Sequence, residues 1–292
     1  MIINFIRGLF MALADSVPGV SGGTIAFIMG FYDRFIDSLE GIIYGDMNRK
    51  KESLKFLIKV GIGWFFGMIL AALILANLFE DKIYIISSLF LGFIIFAIPL
   101  IIKEEKKVLV GKYVNIIFSI IGIAVVILIS HLNPASKDTS VDITNLNIPL
   151  AIYIIIAGMV AISAMVLPGI SGSTLLLIFG LYIPVMTGVK EVLHFNFSYL
   201  PALCLFAIGV IAGVLLVIKL LKVALKNYRS QAIYLIIGLM IGSIYAIIVG
   251  PTTLDVPKDP MSLKTFNILF FIIGGLVIIG LEKMKEFIKD NN

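Results

Sequence analysis

The chain has one cysteine, one tryptophan and two histidines in 292 residues, and only 14% of its residues are charged. The lone thiol, Cys204, sits in an apolar run, which excludes a disulfide framework and a cysteine-based metal site. His131 and His194 stand apart at the ends of apolar segments. No His/Glu/Asp cluster, Gly-x-Ser-x-Gly elbow or P-loop accompanies them, so a metal centre or a membrane phosphatase centre has no recognisable parts. The sequence reads as a protein that is not an enzyme and uses no cofactor. Lys and Arg outnumber Asp and Glu by 23 to 18, but they fall in short segments and never build a long basic face, which argues against a nucleic-acid partner.

What the chain has in excess is hydrocarbon: 60% of its residues are apolar and the mean hydropathy is +1.10. That composition points to lipid as solvent. Runs such as Trp64 to Phe79 and Ile83 to Ile102 approach the roughly 20 residues needed to cross a bilayer. Near the start, Ala12-Leu13-Ala14 before Asp15 imitates a signal-peptide cleavage site. The same stretch has an internal counterpart, so cleavage there would remove part of a repeat.

The repeat is visible on self-comparison. Val17-Pro-Gly-Val-Ser-Gly-Gly-Thr24 recurs as Leu167-Pro-Gly-Ile-Ser-Gly-Ser-Thr174, and both copies run on to a Gly-x-Tyr ending at Tyr32 and Tyr182. Gly63-x-x-x-Gly67 is echoed by Gly209-x-x-x-Gly213, and Asn115 to Gly122 by Asn267 to Gly274. The expected fold is an all-α polytopic membrane protein of two repeats, each a Pro-Gly-broken, re-entrant hairpin followed by three transmembrane helices. The first repeat is assigned to 1–132, with its hairpin at 2–33 and spans at 56–78, 83–102 and 113–131. An external linker at 133–147 follows. The second repeat is 148–292, with its hairpin at 148–186 and spans at 199–219, 230–250 and 265–282; the segment 148–166 is long enough to span alone. Three crossings per half invert the halves. Of the 23 basic residues, eighteen fall in the segments this arrangement makes cytoplasmic and five in the outer ones, as the positive-inside rule requires of a multi-pass protein of the cell membrane with both termini in the cytoplasm.

Pro18-Gly19 and Pro168-Gly169 should break their helices, and broken backbone at membrane depth is tolerated where it is buried in protein or lines a cavity. After the first break, Ser21 can cap a new helix and leave the N–H groups of Gly22, Gly23 and Thr24 unpaired at a positive dipole end. Ser171, Gly172, Ser173 and Thr174 offer the same arrangement from the opposite leaflet. Two opposed helix N-termini suit an anion; the alternative is that the motif only lets two hairpins pack closely. Asp15 has no acidic mate at offset 150, where Met165 stands. Such a carboxylate either carries a proton or cation for coupling or pairs locally, with Arg7 for instance. Arg34 either guides an anionic head group or snorkels, paired with Asp33 or Asp37.

The residues Met11 to Thr24, continuing to Gly30-Phe-Tyr-Asp-Arg34, with Met165 to Thr174 as a second signature, closely resemble the bacterial and archaeal polyprenyl-phosphate transporter (PopT) family over essentially the whole chain. The departure is Ser173 where the first copy has glycine. The resemblance implies a flippase that returns undecaprenyl phosphate, the C55 carrier of cell-wall synthesis, from the outer to the inner leaflet. Beside it stand the other partner expectations: H+ or Na+ as the ion coupled through Asp15, membrane lipids, and a second copy of the chain in a homo-oligomer. On this reading the phosphate is held by Pro18, Gly19, Ser21, Gly22, Gly23, Thr24, Gly169, Ser171, Gly172, Ser173, Thr174 and Arg34, with Asp15 coupling. The competing class is a secondary transporter of a small soluble organic or inorganic anion, which would need a watery path sealed from lipid.

Overall fold

In hydrocarbon a backbone must satisfy its own polar groups, and an apolar chain does so most directly as helix. A computed structural model describes residues 2–15, 21–70, 76–132, 141–253 and 257–290, and among these the regular elements are all helical. The first half contains α1 (Ile2–Asp15), α2 (Gly22–Ile28), α3 (Tyr32–Tyr44), α4 (Met47–Leu70), α5 (Ala76–Glu104), the single turn α6 (Lys106–Leu109) and α7 (Ile116–Leu132). The second contains α8 (Ile148–Val166), α9 (Gly172–Ile178), α10 (Tyr182–Leu193), α11 (Leu200–Asn227), α12 (Arg229–Val249) and α13 (Ile268–Asp290). Among the described residues, six helices are long and apolar enough to cross a membrane, and the bent pair of α9 and α10, turned by 108°, would make a seventh.

Several helices run past the expected spans, α11 to Asn227 and α13 to Asp290 among them, for a simple reason: a helix need not stop where hydrocarbon does. α4 starts at Met47 and not near 56, carrying exposed Lys50, Lys51 and Lys55 on turns below its apolar stretch. Helical structure also runs from Ala76 through the expected loop at 79–82, bending at Lys82 (φ −125°, ψ 29°) before the apolar run begins.

Glycines decide which helices approach. Gly63 and Gly67 of α4 lie against the α1 backbone; a Cβ on Gly67 would stand 2.7 Å from the Leu9 carbonyl. Gly209 and Gly213 of α11 do the same to α8, where a Cβ on Gly213 would stand 2.5 Å from the Met159 carbonyl. These small residues let backbones meet, which is the main source of helix attraction in lipid. The next helices pair across the halves: α5 packs on α13 through Gly92 and Gly274, and α12 on α7 through Gly238 and Gly122. The largest core cluster accordingly joins both halves, with Ile25, Phe31, Phe90 and Ile94 beside Ile218, Ile233 and Met240.

One face of the molecule is tied by ions. Arg229 holds Glu105 through Nε (3.0 Å) and Nη2 (2.5 Å) and Asp33 through Nη1 (3.0 Å). Lys222 reaches Glu40 (2.7 Å) and Asp37 (3.3 Å), and Arg49 bonds both of these acids. Segments around 33–49, 105 and 222–229 therefore meet on the same side. At the opposite end, the Tyr84 hydroxyl donates to the Asp259 carbonyl (2.9 Å) and the Asn267 N–H to Ser88 (2.9 Å).

Candidate functional site

The short helices α2 and α9 begin within the doubled motif, and the first turn of α2 packs against the end of α8 and the break that precedes α9. Ser21, extended at φ −131° and ψ 151°, caps α2 by accepting from the Thr24 N–H at 3.3 Å. Its hydroxyl donates to the Leu167 carbonyl (3.1 Å), while the Thr24 hydroxyl, 3.1 Å from Ser21 Oγ, accepts from the Gly169 N–H (2.8 Å). The proton directions agree: Thr24 donates to Ser21, and Ser21 donates onward to Leu167. The Tyr32 hydroxyl adds a bond to the Val166 carbonyl at 3.2 Å. Gly169 has φ +91°, a left-handed conformation that glycine adopts without strain, and packs on Leu239.

The amides expected to stand open at α2 are largely taken. Gly22 donates to Asp15 Oδ1 at 2.6 Å, and the indole N–H of Trp64 donates to Asp15 Oδ2 at 3.0 Å. A carboxylate from the chain's own α1 thus occupies the positive end of α2, which explains its tolerance at depth: both oxygens are bonded. Asp15 does not pair with Arg7, whose guanidinium bonds Asn4 (3.0 Å) and lies 4.7 Å above the Phe31 ring. Trp64 was not legible as a partner, although a single tryptophan inside an apolar span is a signal in itself, since its N–H must find an acceptor there.

At α9 the arrangement is looser. Ser171 caps no amide through its side chain; its hydroxyl meets that of Ser173 at 2.8 Å. A cavity of about 260 Å³ opens beside them, lined by Ser171, Gly172, Ser173, Phe206 and Asp15. A second cavity of about 250 Å³ lies on the other side of Asp15, bounded by Gly22, Gly23, Leu57, Gly61 and Trp64 and by Phe35 and Leu39 of α3. Both share Asp15, Ile162 and Met165. The departure at Ser173 now has a cause: a Cβ on Gly23 would stand 2.6 Å from the Val166 carbonyl, whereas the second copy has open space at this position.

The structure therefore brings Asp15, Ser21, Gly22, Gly23, Thr24, Gly169, Ser171, Gly172 and Ser173 into one region. Thr174, half-buried on α9, is outside the cavity lining, and Pro18 and Gly19 lie outside the described residues. Arg34 is not at the tips. It is exposed on α3, its guanidinium 4.7 Å from the Phe56 ring, and it pairs with neither Asp33 nor Asp37 because Arg229, Arg49 and Lys222 already hold those acids.

Residues 11–265 match the family model described as undecaprenyl phosphate translocase-like. A polyprenyl-phosphate transporter of Staphylococcus aureus (strain NCTC 8325 / PS 47) is 37% identical over 289 residues, covering 97% of this chain and 96% of that protein. A polyprenyl-phosphate transporter of Vibrio cholerae serotype O1 is 32% identical over 252 residues, covering 82% and 75% respectively. No solved structure matches the chain.

Proposed function

Because this chain belongs to the undecaprenyl phosphate translocase-like family, a family of transporters and not of enzymes, we propose that it moves undecaprenyl phosphate across the cytoplasmic membrane for reuse in envelope synthesis. The relatives named polyprenyl-phosphate transporters match nearly the whole chain or most of it, which supports the same cargo here. We further propose that the halves are inverted, with both termini and the ion-tied face in the cytoplasm. The eighteen-to-five charge distribution supports this orientation. The exchanged pairing of α5 with α13 and α12 with α7 is what a two-fold relation between the halves would produce.

The observation that carries the mechanism is that Asp15 stands in the wall of both cavities, beside the hydroxyls of Ser171 and Ser173. The phosphate sits against Ser171, Gly172 and Ser173, using hydroxyls and first-turn amides. Two anions at such separation repel strongly in a dry site. Asp15 therefore takes up a proton or cation as the phosphate arrives, and its release accompanies phosphate departure. Apart from Asp15 and the serines, the two cavities are walled mainly by hydrocarbon. Such walls suit a lipid tail better than the water-filled route a small soluble anion would need.

The test is reconstitution into liposomes with a polyprenyl monophosphate confined to one leaflet. Its appearance in the other, dependent on a pH or sodium gradient, is expected; failure to move it while a soluble phosphate is transported would assign the protein to the other class.

A further inference from the structure

A third cavity, about 430 Å³, lies on the ion-tied face between α3 and the ends of α11 and α12. Its lining holds cations, Arg34, Lys222, Lys226 and Arg229, around an apolar floor of Ile36 and Leu225, with Asp33 and Asp37 at the rim. The two acids are spent: Asp33 bonds Arg229, and Asp37 bonds Arg49 and Lys222. Arg34 and Lys226 have no ion-pair partner among the described residues. The face of the Arg34 guanidinium is occupied by the Phe56 ring, 4.7 Å away, an arrangement that leaves its in-plane N–H donors available. Phe56 is in turn edge-packed on Phe31 (centroids 6.5 Å apart), which carries Arg7 at 4.7 Å. Arg7 Nε is buried without a hydrogen-bond partner among the described residues.

We propose that this cavity is a second phosphate-monoester site, with Arg34 and Lys226 as its ligating cations and Arg7 adding positive potential from the far side of the Phe31–Phe56 pair. A phosphate monoester carries more charge and more free oxygens than the phosphodiesters of ordinary lipids, and it matches a planar guanidinium and a lysine converging on one cavity. The inference rests on the transport reading, for which it supplies a station on the face taken as cytoplasmic. α3 is the partition: Arg34 opens into this cavity, while Phe35 and Leu39 line the one beside Asp15. A head group leaving Asp15 on that side needs only to round α3 to be received.

The test uses the full chain in neutral detergent micelles, titrated with farnesyl phosphate as a short prenyl monoester and read in two ways. Calorimetry reports total binding. Emission of Trp64, the only tryptophan and bonded to Asp15, reports events at the tips alone. Arg34→Gln with Lys226→Gln removes two charge-assisted contacts, each worth about tenfold or more, and is expected to weaken calorimetric binding by at least about tenfold, with Arg34→Lys recovering part of it. Binding within twofold of wild type in the double variant overturns the proposal, as does equal competition by phosphatidylglycerol, which would make the face a general anionic-lipid surface. Inorganic phosphate competing as well as farnesyl phosphate keeps the site and identifies the free ion as its ligand. Ser171→Ala with Ser173→Ala separates the two readings: loss of the Trp64 response with calorimetric binding still sensitive to Arg34 and Lys226 supports both sites, whereas an unchanged Trp64 response overturns the tip site alone.

Discussion

Asp15 holds two donors, from Gly22 and Trp64, that no other described group satisfies. Asp15→Asn keeps an acceptor for one of them, so phosphate binding should persist while the dependence of transport on a pH or ion gradient disappears; transport by the variant that still follows the gradient would make Asp15 structural. Asp15→Ala orphans both donors and should cost about 2–6 kcal/mol in thermal unfolding, about 1–3 kcal/mol for each. Gly23 and Ser173 occupy equivalent motif positions with opposite tolerance. Gly23→Ala drives a methyl into the Val166 carbonyl and should destabilise by about 1–3 kcal/mol, while Ser173→Gly should fold normally and lose phosphate affinity. Gly61 lines the cavity beside Asp15, and a Cβ there meets nothing within 4 Å. Gly61→Phe should therefore melt like wild type and yet block transport. At this scale the doubled motif was legible because a fixed offset of 150 needs no structure to be seen. Contacts such as Thr24 with Gly169 or Asp15 with Trp64 were not, since nothing local in the chain marks which distant donor will arrive.

Among elements, the Gly-x-x-x-Gly pairs named the helices that must be approached closely but not their partners. Only the folded chain assigns Gly63 to α1 and Gly209 to α8. Because the two contacts are equivalent, Gly63→Leu and Gly209→Leu should lower stability in detergent by similar amounts, about 3 kcal/mol each; a large effect of one and none of the other would deny the equivalence. α3 was read as part of a hairpin and a loop, and its real form is an amphipathic helix that buries Tyr32, Ile36, Ser38 and Gly41 while its acids face the ion network. The charges between 33 and 49 were visible in sequence as a loop-like cluster. Their mutual pairing with Lys222 and Arg229, some 190 residues away, was hidden because exposed ion pairs leave no periodicity.

For the whole molecule, the composition alone dictated helices in lipid, and the charge distribution suggested which ends share a side. The meeting of Asp33, Glu105 and Arg229 is consistent with that grouping. A reporter fused after Lys107 or at the C-terminus should be cytoplasmic, and one inserted near Lys137 external. Labelling from outside of a cysteine placed beside Lys226, in a chain whose native Cys204 has been replaced, would overturn the orientation.

The exchange of partners between α5, α7, α12 and α13 has a consequence for how the protein is made. As the ribosome delivers the first half, α1 can dock on α4 at once, but α5 and α7 wait in the bilayer for helices not yet synthesised. Neither half is a finished object, and a prematurely terminated chain presents glycine-lined faces, at Gly92 and Gly122, that only the missing half covers. Such fragments should be substrates for membrane quality-control proteolysis when expressed singly. Two genes split within 133–147 and expressed together should instead protect one another and restore transport, because the surfaces left uncovered in each product, α5 and α7 in one and α12 and α13 in the other, are covered by its partner.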